Sequence, residues 1–116
     1  MITLISWGHK FGMPVSNFKF DVSFLKNPWR DPKLKRAEIS EIRKFMEHQE
    51  GFRELIDSFV NLIVTYNRLF PGEDLRFAFC CSAGEFRSPS VVQAVHDRLK
   101  ILGVFSTIEH SKESRL

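Results

Sequence analysis

The chain has 116 residues, 43% of them hydrophobic, and a formal net charge of +3. That is enough chain for one domain with one core, too apolar for a disordered segment, and without an apolar run long enough to cross a bilayer. The two cysteines, Cys80 and Cys81, are adjacent, which leaves no disulfide framework and points to a reduced, cytoplasmic setting.

Residues 2–7 read as a first strand, with Ile2, Leu4 and Ser6 on one face and Thr3, Ile5 and Trp7 on the other. No basic stretch or cleavage site marks this segment as a signal peptide. Residues 8–14 form a turn with Gly8 and Gly12 near its ends and Pro14 as a stop, and Lys10 sits just past the strand end, where α/β domains place binding groups. Residues 18–25 alternate Phe18, Phe20, Val22 and Phe24 with polar residues, which predicts a second strand. Pro28 and Pro32 then impose a loop that carries Asn27, Trp29 and Arg30. A first helix is predicted over 37–48, with Ile39, Ile42, Phe45 and Met46 facing in. A second runs over 52–70, with Phe52, Leu55, Ile56, Phe59, Ile63, Tyr66 and Phe70 at helical spacing. Twelve Phe against one Tyr predict a Phe-rich core. A third strand (75–80), a third helix (89–102, closed by Gly103) and a fourth strand (104–109) make a βαβ unit, for which parallel pairing is expected. The fold class is α/β, a single domain over 1–110 with a small mixed or parallel sheet and flanking helices. The polar tail 111–116 is expected to fray.

Chemistry concentrates where the third strand meets the third helix, at Cys80-Cys81-Ser82-Ala83-Gly84-Glu85-Phe86-Arg87-Ser88-Pro89. Ser88 is placed to cap the helix and Pro89 to open it. A strand-loop-helix junction of this kind aims backbone N–H groups and the positive end of the helix dipole at one point, and Arg87 adds a planar fork of donors. This predicts an anion site, above all for a phosphoryl group. The plainer alternative is a tight turn whose arginine pairs with a nearby carboxylate. Cys81-x5-Arg87-Ser88 also has the form of the cysteine-dependent phosphatase loop. In that reading Cys81 is the nucleophile, Arg87 holds the phosphate, Ser88 steadies the leaving thiolate, and Asp21, Asp31 or Asp74 supplies the proton.

Positive charge gathers elsewhere. Between Lys26 and Lys44 lie seven basic residues against three acidic ones, led by Lys26, Arg30, Lys33, Lys35 and Arg36. Such a patch suits a nucleic acid or an acidic protein, and equally a solvated face. His9, His48, His96 and His110 lack metal-ligand spacing, so neither a metal nor another cofactor is expected, and His96 is placed on the outer side of its helix.

Three stretches, in order, resemble the C-terminal domain of the RapZ family of RNase adapter proteins. Ser6-Trp7-Gly8-His9-Lys10-Phe11-Gly12-Met13-Pro14 is similar to the family's S-F-G-F-K-Y-G-x-P. Phe20-Asp21-Val22-Ser23-Phe24-Leu25-Lys26-Asn27-Pro28-Trp29 is similar to F-D-x-R-F-L-P-N-P-H. Cys80-Cys81-Ser82-Ala83-Gly84-Glu85-Phe86-Arg87-Ser88 is similar to G-C-T-G-G-x-H-R-S. The resemblance covers almost the whole chain and accounts for the Cys-x5-Arg spacing without catalysis. It implies a non-enzymatic regulatory domain that senses a phosphorylated metabolite (in the family, glucosamine-6-phosphate), binds small RNAs and recruits an RNase, with like chains forming an oligomer and no membrane partner. The implied ligand contacts are Lys10, Asn27, Cys81, Ser82, Ala83, Gly84, Glu85, Phe86, Arg87 and Ser88. Phe86 and Trp29 replace two histidines of the family pattern, which removes sugar-directed hydrogen bonds while leaving the phosphate cradle, and Ser23 stands where the family has an arginine. The family's N-terminal nucleotide-binding domain is expected to be absent, so no ATP or GTP function is implied. An adapter that keeps the fold without the ligand is the remaining alternative.

Overall fold

The computed structural model describes residues 1–34 and 37–115. Four strands, β1 (Ile2–Gly8), β2 (Phe18–Asp21), β3 (Leu75–Cys81) and β4 (Ser106–His110), form one sheet in the order β2-β3-β1-β4. All three pairings are parallel, so the small α/β architecture read from the sequence is the one observed. The βαβ unit is present, but β1 lies between β3 and β4. Ile2 to Ser6 are all buried, on both faces, which is the pattern of a central parallel strand.

Three helices follow, α1 (Ile39–Glu47), α2 (Phe52–Leu69) and α3 (Arg87–Ile101). They share one core with the strand face made of Ile2, Leu4, Phe77, Phe79 and Cys81. Phe residues dominate it. Phe18 stacks on Phe77 at 5.0 Å, Phe20 meets Phe79 at 5.3 Å, and Phe59 of α2 presents its edge to Phe79 at 4.9 Å. Phe77 and Phe79 are fully buried, and removing either ring would cost about 3–5 kcal/mol.

Several expected boundaries move. β2 stops at Asp21 instead of running to residue 25, because Asp21 Oδ1 accepts the Ser23 N–H at 2.9 Å and turns the chain. Val22 stays in the core, but Phe24 is thrown outward and is 91% exposed. Ile39 is 49% exposed, so the inner face of α1 rests on Ile42 and Met46. Phe70 falls just outside α2 and is half exposed, while Val60 joins Ile56 and Ile63 in the core. Leu102 lies beyond α3 and is 59% exposed. Bonds from Gly103 N–H to Lys100 O (3.0 Å) and from Val104 N–H to Leu99 O (2.9 Å) close that helix end. His96 is half-buried and bonds Ser106 Oγ through Nδ1 at 2.8 Å, so it is a packed residue and not a surface one.

Among the described residues no α-helix packs on the opposite face of the sheet. It is covered by the 9–17 connection, held by Trp7 Nε1–H to Gly12 O (2.9 Å), Arg76 Nε–H to Val15 O (2.9 Å) and the Asn17–Arg76 backbone bond (2.9 Å). The chain leaving β1 therefore goes to one face and the chain leaving β3 to the other. Between adjacent parallel strands that parting opens a crevice at their C-terminal ends, where α/β sheets bind ligands. Residues 111–115, expected to fray, are tied down. Ser111 is buried and its N–H bonds Ser6 O at 3.1 Å, and the Arg115 N–H bonds Glu85 O at 2.9 Å.

Candidate anion-binding site

Gly8 ends β1 and Gly84 lies in the loop after β3, and their backbones touch. A Cβ on Gly8 would fall 2.4 Å from the Ala83 carbonyl carbon, and one on Gly84, whose φ is +74°, 2.7 Å from the Gly8 nitrogen. The Lys10 N–H bonds Ser82 O at 3.3 Å. These contacts set the loop across the crevice and in front of the N-terminus of α3.

α3 begins at Arg87, with Phe86 in the capping position and no side-chain cap, so Ser88 and Pro89 are the second and third helical residues. Ser88 cannot cap because its side chain is used elsewhere. Its Oγ donates to Trp7 O at 3.2 Å and lies 3.2 Å from Cys81 Sγ, and its N–H points at the same sulfur at 3.4 Å. Cys81 is thereby fixed at the bottom of the loop. Cys80, the next residue, faces the other side of the sheet, and burial pushes its thiol above the usual cysteine range, with Cys81 and Asp21 adding to the rise. Both cysteines are free thiols.

Arg87 is only 9% exposed. Its Nη1 donates to the carbonyls of Ser23 and, at 3.5 Å, Leu25, which pins the 22–25 turn against the helix. Among the described residues no carboxylate lies within ion-pair distance of it. The paired-arginine alternative therefore fails among these residues: Arg87 is held by the carbonyls of Ser23 and Leu25, and the charge of Asp21 acts on it only from beyond ion-pair distance.

Lys10, Asn27, Cys81, Ser82, Ala83, Glu85, Phe86 and Arg87 line one cavity of about 190 Å³, with Trp29 at its wall. Gly84 and Ser88 lie beneath it, packed on Gly8 and Cys81. Asn27 Oδ1 caps the short 3-10 turn 28–30 by accepting the Trp29 N–H at 3.1 Å, which leaves its NH2 as the donor end. Arg87 and Asn27 also border an open groove of about 610 Å³ that holds Phe24, Lys26, Arg30 and Asp31. Lys33 is exposed on the turn that follows, and Lys35 and Arg36 lie outside the described residues. Of the three acid candidates, Asp74 precedes β3 and so sits at the far end of a seven-residue strand, about 20 Å away. Asp31 is in the groove with its Oδ1 taken by the Lys33 N–H at 2.9 Å. Asp21 ends β2 beside the site.

The Asp21 carboxyl is held below its ordinary range, first by the Ser23 hydroxyl and then by the Ser23 N–H, with His9 and Arg87 charges assisting. A carboxyl depressed on folding stabilises the fold above its unfolded value, near pH 4, and that contribution is lost as pH falls through the lower folded value. Asp21→Asn should therefore lose less stability than the wild type between about pH 5 and pH 2 in acid denaturation; parallel curves would show that the turn adds nothing. The effect is modest because the group is exposed.

The close approach at Gly8, the Ser23 and Leu25 carbonyls, and Arg115 beside Glu85 are parts of the site that sequence reading did not find. Main-chain carbonyls leave no residue signature, and Gly8 looked like any turn glycine.

The family profile of the RapZ C-terminal domain matches residues 1–114. The chain belongs to the RapZ C-terminal domain family. Similar proteins include a nucleotide-binding protein of Clostridium novyi, 36% identical over 118 residues, and one of Clostridium acetobutylicum, 31% identical over 116 residues. Each match covers 95% of this chain and 40% of the relative. A nucleotide-binding protein of Dictyoglomus thermophilum is 30% identical over 105 residues, covering 85% of this chain and 36% of its own. The chain thus spans about 40% of the length of the first relatives it matches. The resemblance carried by the three sequence stretches is borne out, and membership of the RapZ family supports a regulatory binding role. Among the described residues no helix is long and apolar enough to cross a membrane.

Proposed function

We propose that this RapZ C-terminal domain is a regulatory receptor whose loop 82–87 takes the phosphoryl group of a phosphorylated metabolite or of an RNA backbone. The observation that carries this is Arg87, a buried guanidinium with no carboxylate partner among the described residues, set beside the helix N-terminus and Lys10 in one cavity. A buried charge is costly unless paired, and a bound anion supplies the pair. The wall contributed by Trp29 and Phe86 favours a ligand read chiefly through its phosphate, which makes an amino-sugar phosphate one member of the class. RNA would extend along the groove past Lys26 and Arg30, with Phe24 offered as a stacking surface. An RNase and further copies of this chain are the protein partners of this reading, in a cytoplasmic setting.

Two titrations test it. Inorganic phosphate and glucosamine-6-phosphate should each shift the amide resonances of residues 82–87 saturably, and unmoved resonances with both would sink the site. Single-stranded RNA should bind with an affinity that falls about fiftyfold between 50 and 200 mM salt if about four phosphates are contacted. A salt-independent contact would favour a protein adapter instead.

One observation supports a second reading, a phosphatase. The Ser88 N–H and Oγ both reach Cys81 Sγ. In this reaction Sγ would attack phosphorus, the bond to the departing oxygen would break, a carboxylic acid would protonate that oxygen, and water would release phosphate from the thiol. The carboxyl beside the site, Asp21, has its Oδ1 engaged by both the N–H and the hydroxyl of Ser23, which suits an ionised turn residue better than a proton donor. Aryl phosphate turnover that disappears in Cys81→Ser would establish the enzyme. No turnover from folded wild type would leave the receptor.

A further inference from the structure

Glu85 is out of place in an anion site. It lines the same cavity as Lys10 and Arg87, and a carboxylate so near would repel phosphate. The chain answers it from the segment after β4. The Arg115 N–H bonds Glu85 O at 2.9 Å, Arg115 Nη1 lies 4.0 Å from Glu85 Oε2, and the guanidinium covers the Phe86 ring at 5.5 Å from its centroid. One residue thus engages both the main chain and the side chain of Glu85 and the ring of its neighbour. The segment is anchored at its other end too. The Ser111 N–H bonds Ser6 O of β1 at 3.1 Å, the Ser114 N–H bonds Ser111 O at 3.0 Å, and the buried Ser111 hydroxyl lies against Gly84.

We infer that residues 111–115 brace the anion site from behind its 84–86 loop, and that Arg115 is a positioning residue that holds this loop in shape and neutralises the Glu85 carboxylate. The inference rests on the phosphate reading of loop 82–87. Its physics is twofold. A loop already fixed in its binding shape loses less entropy when the ligand arrives. A carboxylate paired with a guanidinium presents almost no net charge to the incoming anion. Arg115 can do both because a planar guanidinium stacks on an aromatic face while its edge meets a carboxylate.

The test is a cycle of Arg115→Ala, Glu85→Gln and the double variant in the full chain, with inorganic phosphate as the probe and amide exchange of residues 84–86 measured in its absence. Arg115→Ala should weaken phosphate about threefold to fivefold, the range of a half-exposed pair, and speed exchange at Glu85 and Phe86 about tenfold. In the Glu85→Gln background the same substitution should cost under about twofold, since the charge it masked is gone. Arg115→Lys should recover the affinity and not the exchange protection. Equal losses of affinity in both backgrounds would overturn charge masking, and unchanged exchange in Arg115→Ala would overturn loop holding. A wild-type chain that ignores phosphate would remove the phosphate reading and charge masking together, leaving exchange to decide the rest.

Discussion

Arg87→Ala should lose phosphate affinity by about a hundredfold while remaining folded. Two charge-assisted hydrogen bonds to phosphate oxygens, at about 1.5 kcal/mol or more each, account for that factor. The effect on stability is smaller because two terms oppose. The substitution strands the Ser23 and Leu25 carbonyls, which Arg87 now satisfies, and it removes a buried cation whose desolvation disfavours the fold. We expect a net change within about 2 kcal/mol of the wild type. The decisive readout is thermal unfolding with and without phosphate. The wild type should melt higher with phosphate, and Arg87→Ala should show no such rise. Arg87→Lys should not rescue binding, because an ammonium cannot reach the Ser23 carbonyl and two phosphate oxygens at once. Undiminished phosphate affinity in Arg87→Ala would remove this residue as the anchor.

The second large effect belongs to Gly8→Ala. The added methyl would sit 2.4 Å from the Ala83 carbonyl carbon and 2.5 Å from its oxygen, both main-chain atoms that cannot swing aside. Either β1 or the loop must move, at a cost of about 3 kcal/mol or more. Gly84→Ala should approach the same loss by a different route, because its φ of +74° disfavours any Cβ and the Gly8 nitrogen stands 2.7 Å away. Denaturant midpoints measure both. The two losses should add only in part, since separating the backbones once relieves both clashes and leaves the φ strain at Gly84. A Gly8→Ala chain as stable as wild type would mean that the strand and the loop are not pressed together.

How much of this was legible in the sequence depends on the range of the interaction. The strand-loop-helix junction at 75–101 was readable because its signals are local, as was the gathering of Lys10, Asn27 and the loop once the resemblance set the register. The end of β2 was missed because the alternation runs on through Val22 and Phe24, while a single Asp21–Ser23 turn overrides it. Ser88 was read as a cap on chain position alone; its hydroxyl is claimed by Trp7, 81 residues away. The segment after β4 looked frayed because its polar residues meet their partners, Ser6 and Glu85, only across the fold. The position of β1 was available in principle, since Ile5 and Trp7 put large apolar side chains on its second face as well, but the continuous βαβ unit invited β4 to the side of β3.

That position of β1 has a bearing on how the molecule is put together in time. β1 pairs with β3 and β4, so its nearest strand partner in the chain begins at Leu75. No local pairing can hold it earlier, which places its capture late in folding and makes the sheet slow to close. The proposed anion cavity is built across the β1–β3 seam. A ligand there bridges the part of the chain that docks last, and should slow the unfolding of the whole domain and not merely quiet one loop.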